Sequence, residues 1–250
     1  MTNRIVLITG GSRGIGAAIA REFAAAGDRI AIHYVSSAQD AQEVADSLDG
    51  QGHIIVRADL RDPDAIKSMV DEVAGQFGVI DVLINNAGVF YDHPIESSTY
   101  ENWQKAWSDT LGVNLIGAAN VTWCALQHMP KNGTSRIVNI GSRGAFRGEP
   151  VSPAYGASKA AIVAFGQSIA KALAPLHIGV TTLAPGFVET EMATPLLNGP
   201  EGDGIRAQSP FNRVALPEEL AKAVYFLASP ESEWASGAVL DFNGASYLRM

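Results

Sequence analysis

Residues Ile5-Val6-Leu7-Ile8-Thr9-Gly10-Gly11-Ser12-Arg13-Gly14-Ile15-Gly16 decide the fold. The apolar run at their head shows no polar alternation, so it reads as a strand covered on both faces. The glycines that follow let the backbone turn sharply and approach an anion closely. A helical pattern comes next, and a helix N-terminus offers unpaired N–H groups and the positive end of a dipole. Strand, glycine loop and helix in this order read as a phosphate-binding unit. The spacing is Gly-x3-Gly-x-Gly rather than the Gly-x-Gly-x2-Gly of the common dinucleotide fingerprint, so position carries the reading more than spacing. A tight turn without ligand is the competing interpretation.

The alternation continues outward along the chain. Apolar runs at 4–9, 29–34, 53–58, 80–85, 135–140, 178–183 and 238–241 predict strands. Patterns at 14–26, 38–48, 63–77, 97–111, 113–128, 153–174 and 217–228 predict helices. Asp62-Pro63 supplies a cap and first turn for one, and Leu216-Pro217-Glu218-Glu219 opens another. Such alternation predicts a single α/β domain over residues 1–250. The expected domain is of the Rossmann type, a doubly wound seven-stranded parallel sheet with helices on both faces and right-handed crossovers. The least regular stretch, 186–213, holds Pro195, Pro200 and Pro210 among Gly199, Gly202 and Gly204. It is expected to be a substrate lid, with a mobile surface insertion as the alternative.

With 47% hydrophobic residues the chain has ample apolar surface for a core. A net charge of −8 argues against nucleic acid or an anionic membrane surface as partner. The run at Ile5 is too short for a signal segment and no stretch approaches membrane-spanning length, so a soluble cytoplasmic protein is expected. Cys124 is the only cysteine, which excludes an intrachain disulfide, and its neighbours Val121, Trp123 and Leu126 suggest burial. His33, His53, His93, His128 and His177 are scattered. No metal site is expected, and the histidines read as surface or packing residues.

Cofactor choice should be set after the second strand, where an NAD-selective site usually carries a carboxylate. Here Ile32-His33-Tyr34-Val35-Ser36-Ser37-Ala38 has none before Asp40. Arg13 is placed to neutralise a 2′-phosphate and Ser36 and Ser37 to hydrogen-bond it, so NADP(H) is the expected cofactor. The fifth strand ends at Ser142, and Tyr155-Gly156-Ala157-Ser158-Lys159 follows on a helix. Tyr155 and Lys159 share a helix face, one turn apart. A free tyrosine has a pKa of ~10 and needs a neighbouring cation to act as a base near neutrality. Lys159 and an oxidised nicotinamide would supply that charge. Ser142 stands at a strand's carboxyl end, where open α/β sheets bind ligands.

Taken together, Thr9-Gly10-x3-Gly14-Ile15-Gly16, Asn85-Asn86-Ala87-Gly88, Asn114, Ser142, Tyr155-x3-Lys159 and Pro185-Gly186 resemble the short-chain dehydrogenase/reductase family over essentially the full length. The resemblance implies that Tyr155 is the acid/base, that Lys159 binds the nicotinamide ribose and lowers the Tyr155 pKa, and that Ser142 orients a carbonyl. It implies that Asn114 holds a water linking Lys159 to solvent. It places Gly10, Ser12, Arg13, Gly14, Ile15, Gly16, Tyr34, Ser36 and Ser37 on the cofactor. Asp59, with Leu60, would meet the adenine amino group. Asn86, Ala87 and Gly88 would lie along the cofactor, and Pro185, Gly186, Val188 and Thr190 at its nicotinamide end. Bland alternatives stand beside these: Asp59 and Thr190 as helix caps, Asn114 as a residue that caps or kinks a helix, and Arg143 pointing either to substrate or to solvent.

The broad apolar and small-residue faces of helices 113–128 and 153–174 predict subunit contacts, and the resemblance points to a homotetramer. The overall pattern, including Pro185-Gly186-Phe187-Val188-Glu189-Thr190-Glu191-Met192, is similar to 3-oxoacyl-acyl-carrier-protein reductases. An NADP(H)-dependent ketone/alcohol oxidoreductase follows, with a small carbonyl compound or an acyl thioester as substrate. Lys131 and Lys171 are candidates for docking a carrier. A small-ketone, sugar or polyol reductase is the alternative, and a dinucleotide-binding sensor without turnover is the alternative of another class.

Overall fold

The computed structural model describes residues 3–249; Met1, Thr2 and Met250 lie outside it. Seven parallel strands form one sheet: β1 (Ile5–Ile8), β2 (Arg29–Tyr34), β3 (Ile54–Arg57), β4 (Val82–Asn85), β5 (Arg136–Ile140), β6 (Gly179–Pro185) and β7 (Val239–Phe242). Their order is β3-β2-β1-β4-β5-β6-β7. Chain order reverses between β1 and β4, which opens a crevice beyond the carboxyl ends of those strands. The helices are α1 (Gly14–Ala25), α2 (Ala38–Asp46), α3 (Pro63–Phe77), α4 (Tyr100–Leu111), α5 (Ala118–Leu126), α6 (Gly144–Arg147), α7 (Pro153–Leu173), α8 (Thr194–Leu197), α9 (Gly202–Ala207) and α10 (Pro217–Leu227).

The unalternating apolar strands are explained by two cores. Val6 and Ile8 of β1 join Phe23, Ile30, Ile32, Val138 and Val224 on one face. Ile5 and Leu7 join Met69, Leu83, Val121, Ile137 and Val180 on the other. A strand's side chains alternate between faces, so both sets must be apolar when helices cover both sides. Among the described residues, no helix is long and apolar enough to cross a membrane.

The structure corrects the sequence reading in two places. The helix expected at 113–128 is not an independent element. It continues α4 through a π-helical turn over Gly112–Gly117. A β-carbon at Gly117 would stand 2.6 Å from the Leu60 carbonyl oxygen, so only glycine permits the close passage. The stretch 186–213, expected to be irregular, contains α8 and α9. Pro195 favours the first turn of α8, and Ala193, Leu197 and Ile205 form a small core with Phe187 and Val214. A neck closes the stretch, where Val188 pairs with Ala215.

A buried ion pair ties the base of the sheet. Arg4 Nη2 meets Asp28 Oδ2 at 2.7 Å, Arg4 Nη1 donates to the Ala228 carbonyl at 2.7 Å, and the guanidinium stacks against Phe23 and Tyr225. Removing one partner leaves an uncompensated buried charge. Asp28→Ala is therefore expected to lose about 3–5 kcal/mol of stability in urea denaturation. A loss below ~1 kcal/mol, the range of exposed pairs, contradicts this account.

Candidate active site

The glycine loop is pinned from β4. Asn86 Nδ2 donates to the carbonyls of Thr9 and Gly10, both at 2.9 Å. Thr9 Oγ1 accepts from the N–H groups of Asn86 and Ala87, both at 3.0 Å. Gly10 takes φ +63, and a β-carbon on Gly16 would lie 2.3 Å from the Gly10 carbonyl oxygen. No side chain caps the start of α1, which leaves its first N–H groups directed at the crevice. A diphosphate fits this cradle in shape and charge. Ser12 and Ile15 flank it, half-buried.

His33 braces the loop from β2. Its Nδ1 accepts the Gly10 N–H at 2.9 Å, and its Nε2 is 3.0 Å from the Ala58 carbonyl, to which it donates. Burial holds its pKa below the ordinary value, with the Ala58 bond and Asp59 opposing. The ring is therefore neutral at pH 7, as its acceptor role requires.

At the adenosine end, Tyr34 closes β2, Ser36 is exposed, and Ser37 caps α2 by accepting the Asp40 N–H at 3.2 Å. Arg57 was missed by sequence reasoning; its Nε donates to the Val35 carbonyl at 3.2 Å, next to Ser36. Asp59 does not cap a helix, since Asp62 caps α3. Its carboxylate lies in the fork of Arg61, at 2.6 Å from Nη2, and that hydrogen bonding holds its pKa low. Leu60 beside it is buried.

The reacting corner lies at the ends of β4 and β5. Ser142 follows β5, and its Oγ accepts the Gly144 N–H at 3.0 Å. Tyr155 and Lys159 project from α7, with the ammonium 5.7 Å from the phenol ring centre. Lys159 Nζ donates to the Ile140 carbonyl at 2.8 Å. Burial drives the Lys159 pKa down to about 8. Tyr155 moves the other way: burial raises its pKa, a hydrogen bond with Ser142 opposes this, and the Glu149 charge adds to the rise. The expected lowering joins the charge of Lys159 to that of an oxidised nicotinamide, and burial opposes it. The protein's own groups keep the phenol protonated at neutral pH.

Asn114 lies on the π turn, buried, with Oδ1 accepting the Val89 N–H at 2.8 Å and Nδ2 donating to the Val89 carbonyl at 3.0 Å and to Ser158 Oγ at 3.1 Å. A π turn brings one extra residue into a helix, and here it presents Asn114 to the loop after β4. A β-carbon on Gly88 would lie 3.5 Å from both Asn114 Oδ1 and Lys159 Nζ. Glycine at position 88 keeps the space between them open.

The 186–213 stretch reaches both ends. Thr190 Cγ2 lies 3.5 Å from where a Gly14 β-carbon would be, and Glu191 stands 3.9 Å from Arg13. Thr190 also accepts the Ala193 N–H at 3.4 Å. Pro185 accepts the Arg143 N–H at 2.7 Å, and the Gly186 N–H donates to Phe242 at 3.0 Å. Arg143 does not point to open solvent. It is buried over the Phe187 ring and donates to Ser246 Oγ at 2.5 Å and to Gln208 Oε1 at 2.9 Å. Arg147 shares that Gln208 oxygen at 3.1 Å.

A family model described as Enoyl-(Acyl carrier protein) reductase matches residues 10–244. The 3-oxoacyl-[acyl-carrier-protein] reductase FabG of Escherichia coli is 36% identical over 245 residues, 98% of each chain. FabG of Vibrio cholerae is 35% identical over 248 residues, 99% of each. A short-chain dehydrogenase/reductase from Serratia marcescens superposes with a TM-score of 0.88 at 32% identity, covering 96% of both chains. This chain belongs to the short-chain dehydrogenase/reductase family. A second member of known structure, a short chain dehydrogenase from Burkholderia cenocepacia in complex with NADP, gives 0.89 at 34% identity over 98% of both chains.

In this short-chain dehydrogenase/reductase, sequence reasoning missed Phe90, Glu149, His33 and Arg57. Phe90 packs edge-on against Tyr155, with ring centres 5.0 Å apart. Glu149 lies against Gly144, and burial raises its pKa despite Arg147 and Arg143. Neither carries a spacing signal; Glu149 is folded back onto Gly144 by the turn that follows the short helix α6.

The Lys159 value fixes a testable linkage. The ammonium is charged in folded and unfolded chains below about 8, and its burial cost is then fully present. The cost is relieved as pH rises from about 8 toward the unfolded value of 10.5. Lys159→Met is expected to gain about 1–3 kcal/mol of stability at pH 7 and to lose most of that gain by pH ~10, in urea titrations at both pH values. A variant less stable than the unaltered protein at pH 7 contradicts this.

Proposed function

We propose that this chain is an NADPH-dependent reductase of 3-oxoacyl thioesters in which the Tyr155 phenol delivers the proton. The observation that carries the reading is the corner that gathers Ser142 at the end of β5 with Tyr155 and Lys159 on α7, the ammonium 5.7 Å from the phenol ring centre. When bound, NADPH supplies the hydride. Ser142 holds the substrate oxygen, and Tyr155 passes its proton to that oxygen as charge develops there. Lys159 orients the ribose beside it. The opening beside Gly88 gives water access to Lys159 from Asn114, which returns a proton to the centre. Asn86, Ala87 and Gly88 line the cofactor path.

The glycine loop Gly10, Ser12, Arg13, Gly14, Ile15 and Gly16 takes the diphosphate. Arg13, Ser36 and Ser37, with Arg57, take the 2′-phosphate. Asp59 and Leu60 face the adenine, while Pro185, Gly186, Val188 and Thr190 border the nicotinamide. The thioester assignment draws on the FabG relatives, and the cofactor assignment on the NADP-bound neighbour and on the absence of a carboxylate between Tyr34 and Ala38. The 186–213 stretch acts as the lid of a single domain, and the protein works in the cytoplasm.

The fold also leaves apolar faces outward. Ala157, Ala160 and Ala164 are exposed on α7, and Ile116, Trp123, Phe226 and Trp234 are large and exposed. Water contact at such faces favours association, and a homotetramer covers them.

Turnover should be measured with NADPH against acetoacetyl-coenzyme A, several diketones and open-chain sugars. Fastest reduction of the thioester is expected, with Tyr155→Phe losing at least ~100-fold in kcat while NADPH affinity holds. Activity surviving in Tyr155→Phe removes Tyr155 from its role, and no NADPH oxidation with any carbonyl turns the reading toward a sensor. Sedimentation should give a tetramer at micromolar concentration. A monomer under those conditions sinks the assembly proposal.

A further inference from the structure

The helix that carries Tyr155 and Lys159 starts without a cap of its own. Ser152 occupies the N-cap position of α7, but its side chain makes no bond to the first turn, and its buried hydroxyl has no hydrogen-bond partner. A helix start leaves its leading N–H groups in need of acceptors. The Ala154 N–H, immediately before Tyr155, finds one from elsewhere in the chain. It donates to Nε2 of His93 at 3.1 Å.

His93 lies on the loop after β4 and is 1% exposed. Its Nδ1 is 2.7 Å from the Tyr91 carbonyl, which can only accept. The proton therefore belongs on Nδ1, and Nε2 keeps its lone pair for Ala154. The ring is held edge-on against Trp103, 5.5 Å between centres. The His93 N–H donates to the Val151 carbonyl at 2.8 Å, so backbone and side chain both grip the segment leading into α7. The same loop sets Phe90 against the Tyr155 ring and Val89 against Asn114.

We propose that His93 is a positioning residue of the catalytic centre: a neutral imidazole that caps α7 from a distant segment and fixes the height of Tyr155 beside Ser142. The proposal rests on Tyr155 being the proton donor. An imidazole suits the place because it offers a lone pair at the end of a rigid, packable ring. A cationic one would have no lone pair and would meet the positive end of the helix dipole. A displacement of the helix start is transmitted to the phenol one residue on, and small displacements of a reacting group are costly in rate.

Two substitutions separate positioning from packing. His93→Phe keeps the ring and removes the acceptor; His93→Gln keeps an acceptor at similar reach. Each is assayed with the carbonyl compound of the panel above that the unaltered protein reduces fastest. The readouts are kcat, KM, NADPH affinity by fluorescence, and the isotope effect from NADPH deuterated at C4. His93→Phe is expected to lower kcat about 10–100-fold with NADPH affinity within ~2-fold, and to change the isotope effect on kcat. His93→Gln is expected to return kcat to within about 3-fold of the unaltered protein.

The proposal is overturned if His93→Phe keeps its kcat, if His93→Gln rescues nothing, or if kcat and NADPH affinity fall together as in a collapsed loop. Tyr155→Phe run alongside tells the two readings apart. Inactive Tyr155→Phe with fully active His93→Phe overturns the positioning role alone. Active Tyr155→Phe, or an unaltered protein that reduces nothing in the panel, overturns the functional reading and this one with it.

Discussion

Asn86 spends both hydrogens of its side-chain amide on carbonyls of the glycine loop, those of Thr9 and Gly10. Thr9 answers by accepting two N–H groups from the start of the next segment. This reciprocal bracing joins β1 to β4 where the sheet changes direction. Everything that handles a cofactor is placed relative to it. The open start of α1 faces the crevice because the loop is held, and His33 reinforces the loop from its other side. A backbone that must approach a charged ligand closely cannot rely on side-chain bulk for rigidity, so polar cross-links take over that task.

Much of this was legible in the chain itself. Strands buried on both faces announce themselves as unalternating apolar runs, and all seven strand expectations overlap their observed spans within two residues at either end. Tyr155 and Lys159 could be paired because a helix brings residues four apart onto one face. Other features lay beyond any periodicity. His33 and His93 are separated from their partners by long stretches of chain, and an isolated histidine has no spacing to betray it. The burial that raises the Tyr155 phenol and lowers Lys159 is tertiary, so no spacing in the sequence announces it. The π turn was hidden for a different reason: a one-residue bulge scarcely disturbs the composition of a helix.

The catalytic corner also shows a conflict between chemistry and stability. Lys159 is charged, nearly sealed from water and bonded to a main-chain carbonyl rather than a carboxylate. A carboxylate there would stabilise the ammonium but would also cancel the positive field that a developing phenolate needs. Arg143 and Arg147 resolve a similar tension at the other rim. Both are drawn onto one neutral acceptor, Gln208, while Glu149 supplies the neighbouring negative charge, 3.8 Å from Arg147.

The π turn at Gly112–Gly117 has a consequence for ancestry and surface alike. It is equivalent to one residue inserted into an otherwise continuous helix. Deleting that residue would restore regular α geometry and rotate all that follows by about 100° relative to α4. Val121, wholly buried, and Trp123, largely exposed, would no longer face as they do. A single insertion therefore sets two things at once: the inward aim of Asn114 and the outward phase of α5. The polar heart of the molecule and its apolar exterior here share one structural event, and neither can be altered by a length change without resetting the other.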